Sequence, residues 1–227
     1  MKMEVWGDWA LFTRPEMKVE RVSYDVPTPS AARGMLEAVY YHPGLVWRID
    51  RIFVLKPIQY HNTAQKPESS FIQFTNIRRN EVDVKVLASD LRSVAQGGTK
   101  PLYIATSDHI QQRAAMMLRD VHYVIEAHFD MTDKANPSDN PGKFQDIIKR
   151  RLRRGQCFSQ PYLGCRECTA HFGLWEGGEI ETIQETRDLG WMLYDMDYSN
   201  PVNITPMFFR AKMVDGVVDV ANCEVVR

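Results

Sequence analysis

Five cations fall within six residues at Lys149, Arg150, Arg151, Arg153 and Arg154, in a segment whose Phe144, Ile147, Ile148 and Leu152 recur at i, i+3, i+4 and i+8. That spacing predicts a helix with one buried apolar stripe, and the cations fall largely outside it. The negative end of a helix dipole accounts for one or two of them, at roughly 0.3–1 kcal/mol each. The others can serve as a solvated face or as a phosphate-binding patch. Arg78 and Arg79 form a second, smaller basic pair. The remaining candidate is Cys165-Arg166-Glu167-Cys168, because two thiols at this spacing can hold zinc or exchange disulfides. A zinc site needs a second ligand pair and a redox pair opens a helix, whereas the flanks here predict a strand over 162–172, on which positions three apart face opposite sides. No metal and no cofactor are expected.

The elements that must position these groups follow from pattern. Val5 to Thr13 predicts a first strand, with Gly7-Asp8 as a bulge or kink. Thr28 can cap and Pro29 can open a helix that continues through Ala32, Met35, Leu36, Val39 and Tyr40 and stops at His42-Pro43-Gly44. Leu45 to Ile58 predicts a long strand with Trp47, Ile49, Phe53 and Leu55 on one face, Arg51 being an exception to that alternation. From 59 to about 112 the pattern weakens into an insertion, read as a hairpin with β-like pieces at Phe71–Thr75 and Val82–Leu87. Met116 to Met131 predicts another strand, with His122, Val124, Glu126 and His128 on one face. A linker, the basic helix and its following strand come next. Beyond Gly173, Gly190–Asp197, Thr205–Val214 and Gly216–Val226 are strand-like, and Asp215-Gly216 is a hairpin signal.

The fold class is α+β: a ferredoxin-like (RRM-like) βαββαβ domain over 1–172 with its insertion, followed by a small antiparallel β-sheet domain over 173–227. At 227 residues, 44% hydrophobic and 25% charged, the chain is an ordinary globular one that buries a sizeable core. Its formal net charge of −1 means that a polyanion would be held by local clustering. No run of 18 uncharged apolar residues exists and no apolar signal core follows the charged N-terminus, so the expectation is a cytoplasmic protein without membrane contact. The four cysteines are too few for a disulfide framework.

Four stretches carry a resemblance: VWGDWALFTRPEMKVERVSYDVPTPSAARGMLEAVYYHPG near the start, NIRRNEV at 76–82, QRAAMMLRDVHYVIEAHF at 112–129 and YLGCRECTAHF at 162–172. Together they resemble the CRISPR-associated Cas-five proteins of subtype I-C, within the RAMP superfamily, over nearly the whole chain and in the same order. The resemblance implies an endoribonuclease that cuts precursor CRISPR RNA within its repeat without metal and stays in a prokaryotic antiviral surveillance complex. Its implied partners are the repeat RNA and other Cas subunits, with DNA as a further candidate.

Such cleavage needs the ribose 2′-hydroxyl deprotonated, the leaving 5′-oxygen protonated and the phosphate charge stabilised. The resemblance implies a tyrosine on the first helix with a lysine and a histidine from the later strand region. Tyr40 matches the tyrosine, with Tyr41 as fallback, and His128 the histidine, with His122 as second choice. The two histidines share a face but lie roughly 20 Å apart along the strand, so one site uses one of them. No lysine lies between Lys100 and Lys134. The charge-stabilising role then falls to Lys134, Lys143 or an arginine. The cations at Lys149, Arg150, Arg151, Arg153, Arg154, Arg78 and Arg79 are the expected RNA contacts. A second reading is a non-catalytic subunit that caps the 5′ end of a guide RNA. A small-molecule enzyme on the same sheet would require a pocket motif that the sequence does not contain.

Overall fold

The computed structural model describes residues 1–17, 20–60, 79–82, 88–99, 110–113, 115–200 and 202–227. They divide into two compact units, one of 1–61 with 116–227 and one of 62–115. In the first unit the chain runs β1 (Lys2–Ala10), β2 (Arg21–Val22), α1 (Pro29–Val39) and β3 (Leu45–Val54). In the second unit β4 (Arg79–Val82) pairs antiparallel with β5 (Ile110–Arg113), and α2 spans Ala88–Ala95 between them in sequence. The helix was not foreseen in the insertion; the pieces expected at Phe71–Thr75 and beyond Val82 lie outside the described residues. Then follow β6 (Ala115–Met116), β7 (Leu118–Met131), α3 (Pro141–Arg153) and β8 (His171–Leu174). The C-terminal strands are β9 (Arg187–Asp197), β10 (Thr205–Val214), β11 (Val217–Asp219) and β12 (Val225–Val226).

The ferredoxin-like sheet is ordered β3-β7-β1-β8, antiparallel at every step. Taking these four strands alone, the order is second, third, first, fourth, which is the arrangement that two βαβ halves make when they interleave. The C-terminal ladder joins this sheet: β11 pairs with β3, β10 with β11, and β9 and β12 with β10. Eight strands thus hydrogen-bond into one sheet.

α1 and α3 begin where their caps dictate. Thr28 Oγ1 accepts from the Ala31 N–H at 3.1 Å, and Asn140 Oδ1 accepts from the Lys143 N–H at 2.9 Å, each ahead of a proline. α3 ends at Gly155, whose φ of +61° lets the Gln156 N–H return to the Arg151 carbonyl. Both helices lie on one face of the sheet. Phe144 of α3 packs edge-on against Phe129 of β7, which meets Trp47 of β3 in the same manner. Met35, Leu36, Val39, Phe144, Ile148 and Leu152 are buried there. Removing the Phe144 ring by alanine would cost about 3–5 kcal/mol.

Two local expectations change on folding. β1 runs through Gly7 without a break, and the glycine answers a close approach instead: a Cβ there would meet Leu163 Cδ1 at 2.7 Å and the Thr169 carbonyl at 3.0 Å. The strand expected over 162–172 forms only from His171. Ahead of it Gly164 at φ +86° sits against the Leu11 carbonyl, and the Cys168 N–H donates to the Cys165 carbonyl, closing a turn.

Candidate functional site

The register of β3 against β7 slips between Ile49 and Arg51, leaving Asp50 as a bulge. Before it, Trp47 and Ile49 face the helices with Phe129 and Ala127; after it, Ile52 and Val54 do, with Ile125 and Tyr123. Arg51 and Phe53 therefore join Arg48 on the opposite face, which resolves the exception at Arg51 in the sequence alternation. The bulged residue is held by its own carbonyl, which accepts from the N–H groups of Val220 and Ala221 at 2.9 and 3.0 Å. Its side chain is aimed across to β7, where Oδ1 stands 2.7 Å from His128 Nδ1. Bulges commonly re-aim a side chain in this way beside reactive centres.

The Asp50–His128 pair is a dyad in the acid–base sense. An ionised carboxylate only accepts, so Nδ1 donates to it, and in the neutral ring it is Nε2 that holds the lone pair. The imidazole is 56% exposed, which leaves that nitrogen open to a ligand. Arg48 is the cross-strand partner of His128, its Nε 3.1 Å from Asp130. Arg51, two register steps along and on the same face, has its Nε 2.8 Å from Glu126. Two arginines thus flank the dyad, on a strand pair whose β7 carries no lysine. The parity break at Arg51 was the signal in the sequence that could have located Asp50.

His122 lies on the same face at the far end of β7, its Nε2 2.8 Å from Glu4 Oε1. Tyr40 does not. It caps α1, and its ring packs at 6.0 Å on Phe144, stacks at 6.4 Å and 10° on His42, and carries the Arg151 guanidinium 5.0 Å from its centroid. Phe144 touches Phe129, the neighbour of His128 in a strand whose side chains alternate. Tyr40 is therefore on the helix side of the sheet and both histidines are on the other, so the structure does not bring the expected tyrosine and histidine together. Burial raises the Tyr40 phenol above its ordinary value, which keeps it a neutral donor. His42 accepts the Gly44 N–H on Nδ1, so its Nε2 carries the proton and no lone pair remains for a base. The fallback Tyr41 is 60% exposed.

The basic run of α3 is divided among tasks. Arg151 donates to the Val39 carbonyl at 2.7 Å and so caps α1, while Arg153 pairs with Glu176 at 2.7 Å. Arg150 and Arg154 are exposed, Lys149 half-buried. Lys143 meets Asp139 at 2.7 Å, and Lys134 is exposed. Arg78 and the side chain of Arg79 lie outside the described residues. The turn at 165–168 brings the two thiols to 3.4 Å, in contrast to the opposed faces expected of a strand. The Cys168 S–H donates to Cys165 and lowers the Cys165 thiol; the same bond and burial raise Cys168. Among the described residues no three His, Cys, Asp or Glu side chains gather as a metal site, and no helix is long and apolar enough to cross a membrane.

Comparison with known proteins places this geometry in a family. A family model described as CRISPR-associated protein (Cas_Cas5), of the Cas5d type, matches residues 1–221. A protein of Mannheimia succiniciproducens named CRISPR pre-crRNA endoribonuclease Cas5d is 46% identical over 227 residues, covering 97% of this chain and 94% of that relative. Its namesake from Thermus thermophilus is 35% identical over 237 residues, covering 97% and 90%. A crystal structure described as a CRISPR-associated protein shares the fold with a TM-score of 0.65 at 22% identity, over 100% of this chain and 95% of the other. A functionally uncharacterized protein from Streptococcus mutans superposes with a TM-score of 0.66, also at 22% identity, over 100% and 96%. A match across nearly the full length, by family model and by relatives, makes this chain a member of the Cas5d family of CRISPR-associated proteins.

Proposed function

We propose that this chain is an endoribonuclease that cleaves precursor CRISPR RNA within its repeat, with His128 as the group that moves the proton. The activity is the one named for the relative that is 46% identical over almost the whole chain. The observation that carries the assignment of residues is the Asp50–His128 dyad, exposed at Nε2 and flanked by Arg48 and Arg51. His128 Nε2 takes the 2′-hydroxyl proton, and Asp50 holds the tautomer that permits it. The 2′-oxygen then bonds to phosphorus while the bond to the 5′-oxygen breaks, and the net proton passes from the first oxygen to the second. The products are a 2′,3′-cyclic phosphate and a 5′-hydroxyl, with no water consumed. The arginines stabilise the extra charge on the phosphate. After cutting, the protein stays with its product as a subunit of the surveillance complex.

In this reading Tyr40 packs the helix layer and the exposed cations Arg150 and Arg154 hold RNA on that side. Incubating the protein with end-labelled repeat RNA in EDTA tests it. Expected are cleavage, a cyclic phosphate on the upstream fragment, and no cleavage when a single 2′-deoxy sugar precedes the cut. Tight binding without cleavage would leave the guide-capping reading, which the location of the α3 cations on the side away from the dyad also supports.

A further inference from the structure

On the same face as the dyad, three rings stand in one cross-strand row: His122 on β7, Trp6 on β1 and His171 on β8. Trp6 and His171 are stacked, with centroids 5.8 Å apart and planes 24° from parallel, and His122 lies at 5.9 Å on the other side, tilted by 57°. Glu4 fixes the His122 ring through Nε2. A tryptophan in a strand paired on both sides would ordinarily be covered, yet Trp6 keeps 38% of its surface open and His171 is exposed. Between this row and the dyad, Lys2 and Arg51 each sit 5.7 Å over the Phe53 ring. Rings at one end, the row of Lys2, Glu126 and Arg51 in the middle and an acid–base pair at the other thus lie along β7, with roughly 20 Å between His122 and His128.

We propose that Trp6 and His171, backed by His122, are a stacking platform for unpaired bases of the RNA, holding the strand while its phosphate lies at His128. The inference deepens the cleavage reading and rests on it for the identity of the strand. Exposed flat aromatic faces suit bases that are splayed from a helix, because every base has a π-face and stacking needs no fixed hydrogen-bond pattern. Lys2 and Arg51, on either side of Glu126, lie along the path that the backbone between those bases and His128 must take. A protein partner would find little apolar area here beyond one indole.

The test is binding of the full chain to a labelled oligouridylate too short to fold, by fluorescence anisotropy, beside the same strand made abasic. Trp6→Leu should weaken binding roughly 5- to 100-fold, the usual loss for one stacked base. Trp6→Phe, which keeps a face, should stay within about threefold. The loss should be the same at low and high salt, since the salt slope reflects phosphates neutralised and not bases stacked. The abasic strand should bind weakly and ignore Trp6→Leu. His171→Ala, on an exposed edge position, repeats the measurement should Trp6→Leu fail to fold. Unchanged affinity in Trp6→Leu and His171→Ala, or an abasic strand bound as tightly as the intact one, would overturn the platform, including in favour of a protein occupant. The cleavage reading is separated by the repeat assay: a wild-type protein that cuts the repeat while both variants bind normally sinks the platform alone. A protein that never cuts yet shows the ring dependence retains the platform and loses the enzyme.

Discussion

Replacing His128 by alanine should slow single-turnover cleavage of labelled repeat RNA in EDTA, at saturating protein, by roughly 10²–10⁴-fold. At 1.36 kcal/mol per factor of ten this is about 2.7–5.4 kcal/mol of barrier. Asp50→Asn should cost far less. The pair is solvent-accessible, with His128 56% and Asp50 26% exposed, and exposed pairs are worth about 0.2–1 kcal/mol, or up to about fivefold in rate. Once His128 is gone Asp50 has nothing to orient, so the double variant should be no slower than His128→Ala; additive losses would mean that the two act apart. Tyr40→Phe removes only a hydroxyl and keeps the ring on Phe144, His42 and Arg151, so its rate should be near that of the wild type. A loss of 10²-fold or more in Tyr40→Phe, with His128→Ala close to wild type, would refute the reasoning and move the chemistry to the helix side of the sheet.

Arg150→Ala with Arg154→Ala should flatten the salt dependence of RNA affinity by roughly 0.7–0.9 log units for each phosphate left without its cation, whereas Arg153→Ala, already paired with Glu176, should change it less. Gly164→Ala should lower the melting temperature sharply, because φ is +86° there and the new Cβ would fall 2.1 Å from the Leu11 carbonyl oxygen; an unchanged midpoint would show that the turn can relax. Cys165, lowered by the Cys168 S–H, should alkylate with iodoacetamide at a lower pH than an ordinary thiol, and Cys168→Ala should move that dependence upward; mass mapping of the modified peptides reads both.

The frame was legible because local signals agreed with it. Thr28-Pro29 opened α1, the apolar stripe of Phe144, Ile148 and Leu152 defined α3, and the alternation of β7 put His122 and His128 on one face as they are found. What escaped depended on contacts distant in sequence. The 162–172 segment has strand-like residues, but Gly164 must turn beneath Leu11 before β8 can pair with β1. Gly7 looked like a kink and is instead a clearance for Leu163. Asp50 was read as one polar position in an alternating strand, since nothing local shows that Val220 and Ala221 will hold its carbonyl. The row of Trp6, His122 and His171 joins three strands separated by more than a hundred residues between the first two, and spacing along the chain carries no trace of it.

The bulge at Asp50 also makes β3 tolerant of a change at this point, in residue identity or in length. A substitution there leaves the backbone count intact, so the strand can still be laid against β7 with every other side chain in place. Deleting the residue would restore plain alternation and leave both faces as they are: Ile49 and Arg51 would become consecutive pairs of Ala127 and Glu126, and Ile52 and Val54 would stay buried. A chain shortened by that one residue would keep its pairing with β7 and lose the carbonyl that Val220 and Ala221 share and the carboxylate that reaches His128. Descendants of this sequence are therefore free to lose the bulge without losing the strand, but not without losing the dyad.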